Sequence, residues 1–176
     1  MAGVYTSLDS SSVTHHLFIP GPEPAPAFRV PLRELPAYRY LPGHGPHPFR
    51  HPAGHAYVGG QAPKAPLWDA TLVPEQDPLW LWPMDLFDHR YFWEAHEAWE
   101  GLWHQLPRQS RRAQLLQGLI QVSAAVLKSH LGQVRAARSL MTAARPRVGK
   151  GGWTLDGERL LARTEHFMKG GPWPLI

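Results

Sequence analysis

A chain of 176 residues is long enough for one hydrophobic core and short for two. With no cysteine it has no disulfide framework, no thiol nucleophile and no thiolate metal site. The formal charge of +4 is too small by itself to argue for a nucleic-acid partner, and no apolar run is long enough to span a membrane.

Met1-Ala2-Gly3-Val4 lacks the basic and apolar regions of a secretory signal, so a cytoplasmic location is expected. Most of the 19 prolines fall before residue 84. Proline supplies no amide proton and restricts the residue before it, which disfavours helices and central strands. Residues 1–27, with Pro20-Gly-Pro-Glu-Pro-Ala-Pro26, are expected to be disordered. Residues 28–83 mix breakers with Phe28, Val30, Leu35, Tyr40, Trp68, Leu79, Trp80 and Trp82. They are expected to form a Pro/Gly/His-rich arm that packs on a helical domain over 84–169.

The pattern changes at Pro83. A first helix is expected from about 85 to 105, with Phe92, Ala95, Trp99, Leu102 and Trp103 on one stripe and Pro107 beyond its end. A second helix, roughly 109–130, aligns Leu115, Leu116, Leu119, Val122 and Val126 on one face. Gly118 costs about 1 kcal/mol against alanine in a helix interior, which asks for a packing reason. Gly132 marks a turn, a third helix runs from Val134 until Pro146, and Asp156 caps a last helix ending near Gly170. The fold class is all-α: a compact antiparallel bundle or array of about four helices with a largely irregular N-terminal arm.

The acids Asp85, Asp88, Glu94, Glu97 and Glu100 crowd one segment, whereas Gly101 to Leu155 holds none. Arg108, Arg111, Arg112, Arg135, Arg138, Arg145 and Arg147 fall in that acid-free stretch, so a phosphate- or RNA-binding face is one reading. Base stacking needs exposed aromatics, and the tryptophans here occupy core or arm-anchor positions.

Chemistry concentrates in Tyr91-Phe-Trp-Glu-Ala-His-Glu-Ala-Trp-Glu100. On a continuous helix His89, His96 and Glu100 line one strip beside the core, Glu97 lies farther toward solvent, and Glu94 is expected to be solvated. His96 and Glu100 stand four apart, so one divalent metal or one hydrogen bond can join them. His96-Glu97-Ala98-Trp99-Glu100 follows the His-Glu-x-x-His zinc pattern with glutamate in the second histidine position. In that reading His96 and Glu100 are ligands and Glu97 is the base of a metal-dependent hydrolase. The competing readings are a hydrogen-bonded structural network and a metal-free acid–base or small-ligand site. His44, His47, His51 and His55 in the arm could also gather around a metal.

The run from Asp85 to Trp103, followed by Leu116-Gln-Gly-Leu-Ile-Gln121, closely resembles the DUF309 family. This is a set of small prokaryotic all-helical proteins of unassigned function, and the arm looks like an extension of longer members. The resemblance implies a helical fold and places the family motif on His96, Glu97, Glu100, Trp103, Gln117, Gly118 and Gln121. Longer members often carry lysine where Gln117 stands, which argues against a charged catalytic role there. The expected protein is soluble, with a polar pocket of His89, His96, Glu97, Glu100, Gln117 and Gln121 used for structure or small-ligand binding. Metal-dependent hydrolysis and phosphate or RNA binding are the alternatives. The partner is open, and copies of the chain could pair through a leftover apolar face.

Overall fold

Asp77 opens the first helix: its carboxylate accepts from Leu79 N–H at 2.9 Å, and Pro78 sits in the first turn, where no amide proton is needed. The computed structural model describes residues 19–153 and 155–176. A short 3-10 turn, Pro74–Gln76, leads into α1 (Pro78–Asp88), α2 (Phe92–Trp103), α3 (Arg111–His130), α4 (Val134–Val148) and α5 (Gly157–Phe167). Among the described residues there is no strand, only isolated bridges in turns. Residues 1–18 of the N-terminal segment lie outside the described residues, while Ile19 is buried in the core.

The all-α class is as expected, but the first expected helix is two helices. Pro83 lies inside α1 rather than ahead of it. The hydrogen bond it forgoes is outweighed by burial of Trp80, Trp82, Met84, Leu86 and Phe87. Pro146 is likewise inside α4. The chain then breaks at His89–Tyr91. Tyr91 N–H donates to Leu86 O at 2.7 Å and Arg90 N–H to Phe87 O at 2.9 Å, with Arg90 at φ 67°. These are the two bonds of a Schellman C-cap, with arginine in the left-handed position that glycine usually fills. The end of α3 uses the ordinary residue: Gly132, at φ 71°, donates to Ser129 O while Gln133 N–H reaches Lys128 O.

Helix α3 lies between α2 and α4, α1 packs on α2, and α5 closes against α4 and α3. Trp99, Phe87, Phe92, Leu116, Leu119, Val122 and Val126 fill the centre with essentially no exposure. Gly118 has the packing reason its sequence position asks for. A Cβ there would sit 2.5 Å from Val148 Cγ2 and 2.9 Å from Arg147 Cβ, so α4 approaches α3 at this turn. Gly118→Ala sets a propensity gain of about 1 kcal/mol against an overpacking cost of about 1–3 kcal/mol. The expected result is a net loss on the order of 1 kcal/mol by urea denaturation. An unchanged midpoint would mean that Val148 yields without cost.

The arm is stitched to the helices by polar anchors. Asp85, fully buried, accepts from the Arg29 and Val30 backbone amides and from the Arg29 guanidinium, which also reaches Asp88 at 2.8 Å. Asp88 in turn accepts from Ile176 N–H at 2.6 Å, tying the arm, α1 and the C-terminal segment together. Burial pushes the Asp88 carboxyl above its ordinary range, and the Ile176 amide and Arg29 offset this only in part. Arg39 donates to His89 O at 2.8 Å and covers the Tyr91 ring, bracing the break between α1 and α2. Tyr40 and Leu41 enter the core as apolar anchors. No helix among the described residues is long and apolar enough to cross a membrane.

Candidate metal centre

On α2, residues 96, 97 and 100 fall within about one turn, close enough for long side chains to meet. His96, Glu97 and Glu100 each offer a ligand atom, and the three atoms lie within 4.8 Å of one another. All three side chains are half-buried. His96 Nδ1 is 3.4 Å from Glu97 Oε1, yet the contact does not have hydrogen-bond geometry, and this ring nitrogen is buried without a hydrogen-bond partner. Nearby, His104 Nε2 approaches Glu100 Oε1 at 3.7 Å. The four-residue spacing of Glu100 and His104 carried that signal, which the sequence reading passed over. Among the described residues no other trio of histidine and carboxylate side chains converges in this way.

His89 does not join the cluster. Its Nδ1 pairs with Asp85 O at 2.8 Å and its ring stacks on Phe28 at 4.2 Å. The strip that places it beside His96 assumes one continuous helix, and the C-cap at Arg90 ends that continuity. Gln117 points to α4, where its Oε1 accepts from Arg147 Nε at 3.0 Å. Gln121 has a buried Oε1 with no hydrogen-bond partner. No hydrogen bond among the described residues links either glutamine to the cluster.

Glu94 corrects the sequence expectation most sharply. Instead of being solvated, its side chain is only 5% exposed. Its Oε1 accepts from Tyr40 N–H at 3.0 Å and meets His55 Nε2 at 3.0 Å. Two other arm histidines have a ring nitrogen held locally: His47 Nδ1 accepts from Phe49 N–H, and His51 Nδ1 from Ala53 N–H, while the His47 ring also meets Trp93 of α2 edge-on. They make no claw of their own. His55 alone among them reaches the helices through its side-chain nitrogen, and it does so at Glu94.

The arm and the α1–α2 pair enclose an open groove of about 900 Å³. Leu79, Trp82 and Leu86 from α1 and Trp93 from α2 make its apolar wall, and Glu97 and Glu100 reach it from α2. Glu94 and His55 line the same space. Two of the three metal-ligand candidates, Glu97 and Glu100, therefore border a cavity large enough for a small molecule. The arginines of the acid-free stretch are partly committed elsewhere. Arg111 donates to Arg147 O and Gly151 O, Arg145 pairs with Glu165, and Arg108 covers Trp103.

Residues 83–140 match a family model described as Domain of unknown function (DUF309). The helical core carries the DUF309 match. It runs from within α1 into α4, so it includes all of α2 and the His96–Glu97–Glu100 cluster. The arm histidine His55 and the polar anchors Arg29 and Tyr40 lie outside the DUF309 match. No curated protein and no solved structure matches the chain.

Proposed function

We propose that His96, Glu97 and Glu100 bind a divalent cation at the border of the groove, and that the ion helps to hold a small molecule there. The observation supporting this reading is the convergence of one imidazole and two carboxylates, with His96 Nδ1 otherwise lacking a partner. A buried polar atom without a partner costs about 1–3 kcal/mol, and coordination would remove that cost. One nitrogen and two oxygens suit a borderline or hard dication such as zinc or manganese. Three protein ligands would leave coordination positions for water or ligand, the arrangement that distinguishes catalytic from structural sites. A bound ion would supply Lewis acidity and an activated water, the chemistry of hydrolysis.

Full-length protein purified without chelators should retain about one ion per chain by elemental analysis, and the metal-free form should rebind zinc or manganese in calorimetry. His96→Ala and Glu100→Gln should each weaken binding by about a hundredfold or more, given that losing even a group that only hydrogen-bonds to a metal ligand costs about 10–100-fold. Their metal-free melting temperatures should stay close to wild type, since both side chains are half-buried. Metal affinity unchanged in both variants, or no uptake by wild type, would leave the cluster as a structural network.

A further inference from the structure

Of the arm's four arginines, Arg29 and Arg39 have oxygen partners for their side chains, and Arg50 lies outside the groove lining. Arg29 engages Asp85 and Asp88, and Arg39 donates to His89 O. Arg33 differs. Its guanidinium carbon lies 4.6 Å from the Trp82 ring centroid, and among the described residues its side chain has no carboxylate or carbonyl partner. Both Arg33 and Trp82 line the groove that Glu97 and Glu100 border. Stacking on an indole fixes the plane of a guanidinium while leaving its N–H edge free to donate.

The charge of the groove gives this edge a use. Two carboxylates of the cluster would balance a dication. Glu94 is already engaged by His55 and the Tyr40 amide. Glu34 and Lys64, both exposed, carry opposite charges in the same lining. Arg33 is the other arginine or lysine of this lining, and no carboxylate pairs with its side chain among the described residues. Partial burial lowers its pKa below the ordinary value, but an arginine remains cationic. Although Arg33 as a whole is exposed, a guanidinium laid over an indole in the groove that Glu97 and Glu100 also line is matched to an oxyanion, which it can grip with two parallel hydrogen bonds.

We infer that Arg33 binds the anionic end of the groove's ligand, a phosphate or carboxylate carried on an apolar body. The inference rests on the metal-centre reading and adds the ligand class. The apolar body would lie against Leu79, Leu86 and Trp93, while the oxyanion lies between Arg33 and the ion.

The test uses full-length protein loaded with zinc or manganese, whichever the wild type retains, and titrated separately with phenyl phosphate and with benzoate. At least one should bind, and the preference between them identifies the oxyanion. Arg33→Ala should weaken that binding by about tenfold or more, the loss expected for a charge-assisted hydrogen bond. Arg33→Lys should recover only part of it, because lysine keeps the charge without the planar fork. Metal affinity and melting temperature should be unchanged in both variants. Wild-type metal uptake with no binding of either probe, or with binding indifferent to Arg33, overturns this inference alone. Absence of metal uptake overturns the metal-centre reading and this inference with it.

Discussion

Asp85→Ala should melt about 6–12 °C below wild type, corresponding to a loss of about 3 kcal/mol in a chain of this length. The Asp85 side chain is fully buried, and its two oxygens receive the Arg29 amide, the Val30 amide and the Arg29 guanidinium at 2.8–3.1 Å. Alanine leaves two part-buried backbone donors without their acceptor. It also leaves Arg29 with Asp88 as its remaining carboxylate. Removing one member of a buried, hydrogen-bonded pair is far more costly than the pair's net contribution, because the abandoned partner has already lost its water. Asp85→Asn keeps one acceptor oxygen and should fall between alanine and wild type. Thermal unfolding followed by circular dichroism checks the series. A shift of only 1–2 °C for alanine would show that water reaches the vacated donors, contrary to about 3 kcal/mol of loss.

Glu94→Ala is expected to act on the arm more than on the helices. Glu94 and His55 are 5% and 7% exposed, and Glu94 Oε1 serves both His55 Nε2 and the Tyr40 amide. Its removal leaves a buried imidazole nitrogen and a buried amide without acceptors, a loss of about 2–3 kcal/mol. Because the segment from Tyr38 to His55 is held at both these points, amide hydrogen exchange there should quicken by about tenfold or more. The α3 core should exchange as slowly as the lowered global stability allows. Glu94→Gln retains an amide oxygen and should leave most of the protection in place. Equal acceleration across arm and α3 would mean that the two regions unfold as one unit.

The features legible in the sequence are local ones. Phe92, Ala95, Trp99 and Leu102 share a stripe by spacing alone, and all four are buried. Asp156 was readable as a cap because a short carboxylate can reach an amide in the following turn; it accepts from Arg159 N–H. Gly132 was readable as a stop, since glycine adopts positive φ without steric cost. His96 and Glu100 are placed together by their four-residue separation, and Glu97, read from the sequence as a base, offers a ligand atom within 4.8 Å of both.

The break after α1 had no such signal. Arg90 occupies a left-handed position that costs a non-glycine residue about 1–2 kcal/mol. That cost is offset by the Tyr91–Leu86 bond, by Arg39 on His89 O and by Arg90 on Gly21 O. The last two partners, Arg39 and Gly21, lie 50 and 69 positions before the residues they meet, so no window of sequence around residue 90 contains them. Ending α1 there separates His89 from the strip that a continuous helix would have given it. Glu94 follows the same logic: periodicity turns it away from the helical core, and only the arm buries it. Its partners lie 54 and 39 positions earlier in the chain.

For this protein the sequence by itself determined the helices, their apolar faces and the family match, because these depend on spacing within about 3.6 residues per turn. Tertiary structure alone decided where the first helix breaks, which acids are buried and which arginine is left facing the groove. A polar group is buried only where a partner reaches it through space, and such partners are set by chain that is distant in sequence.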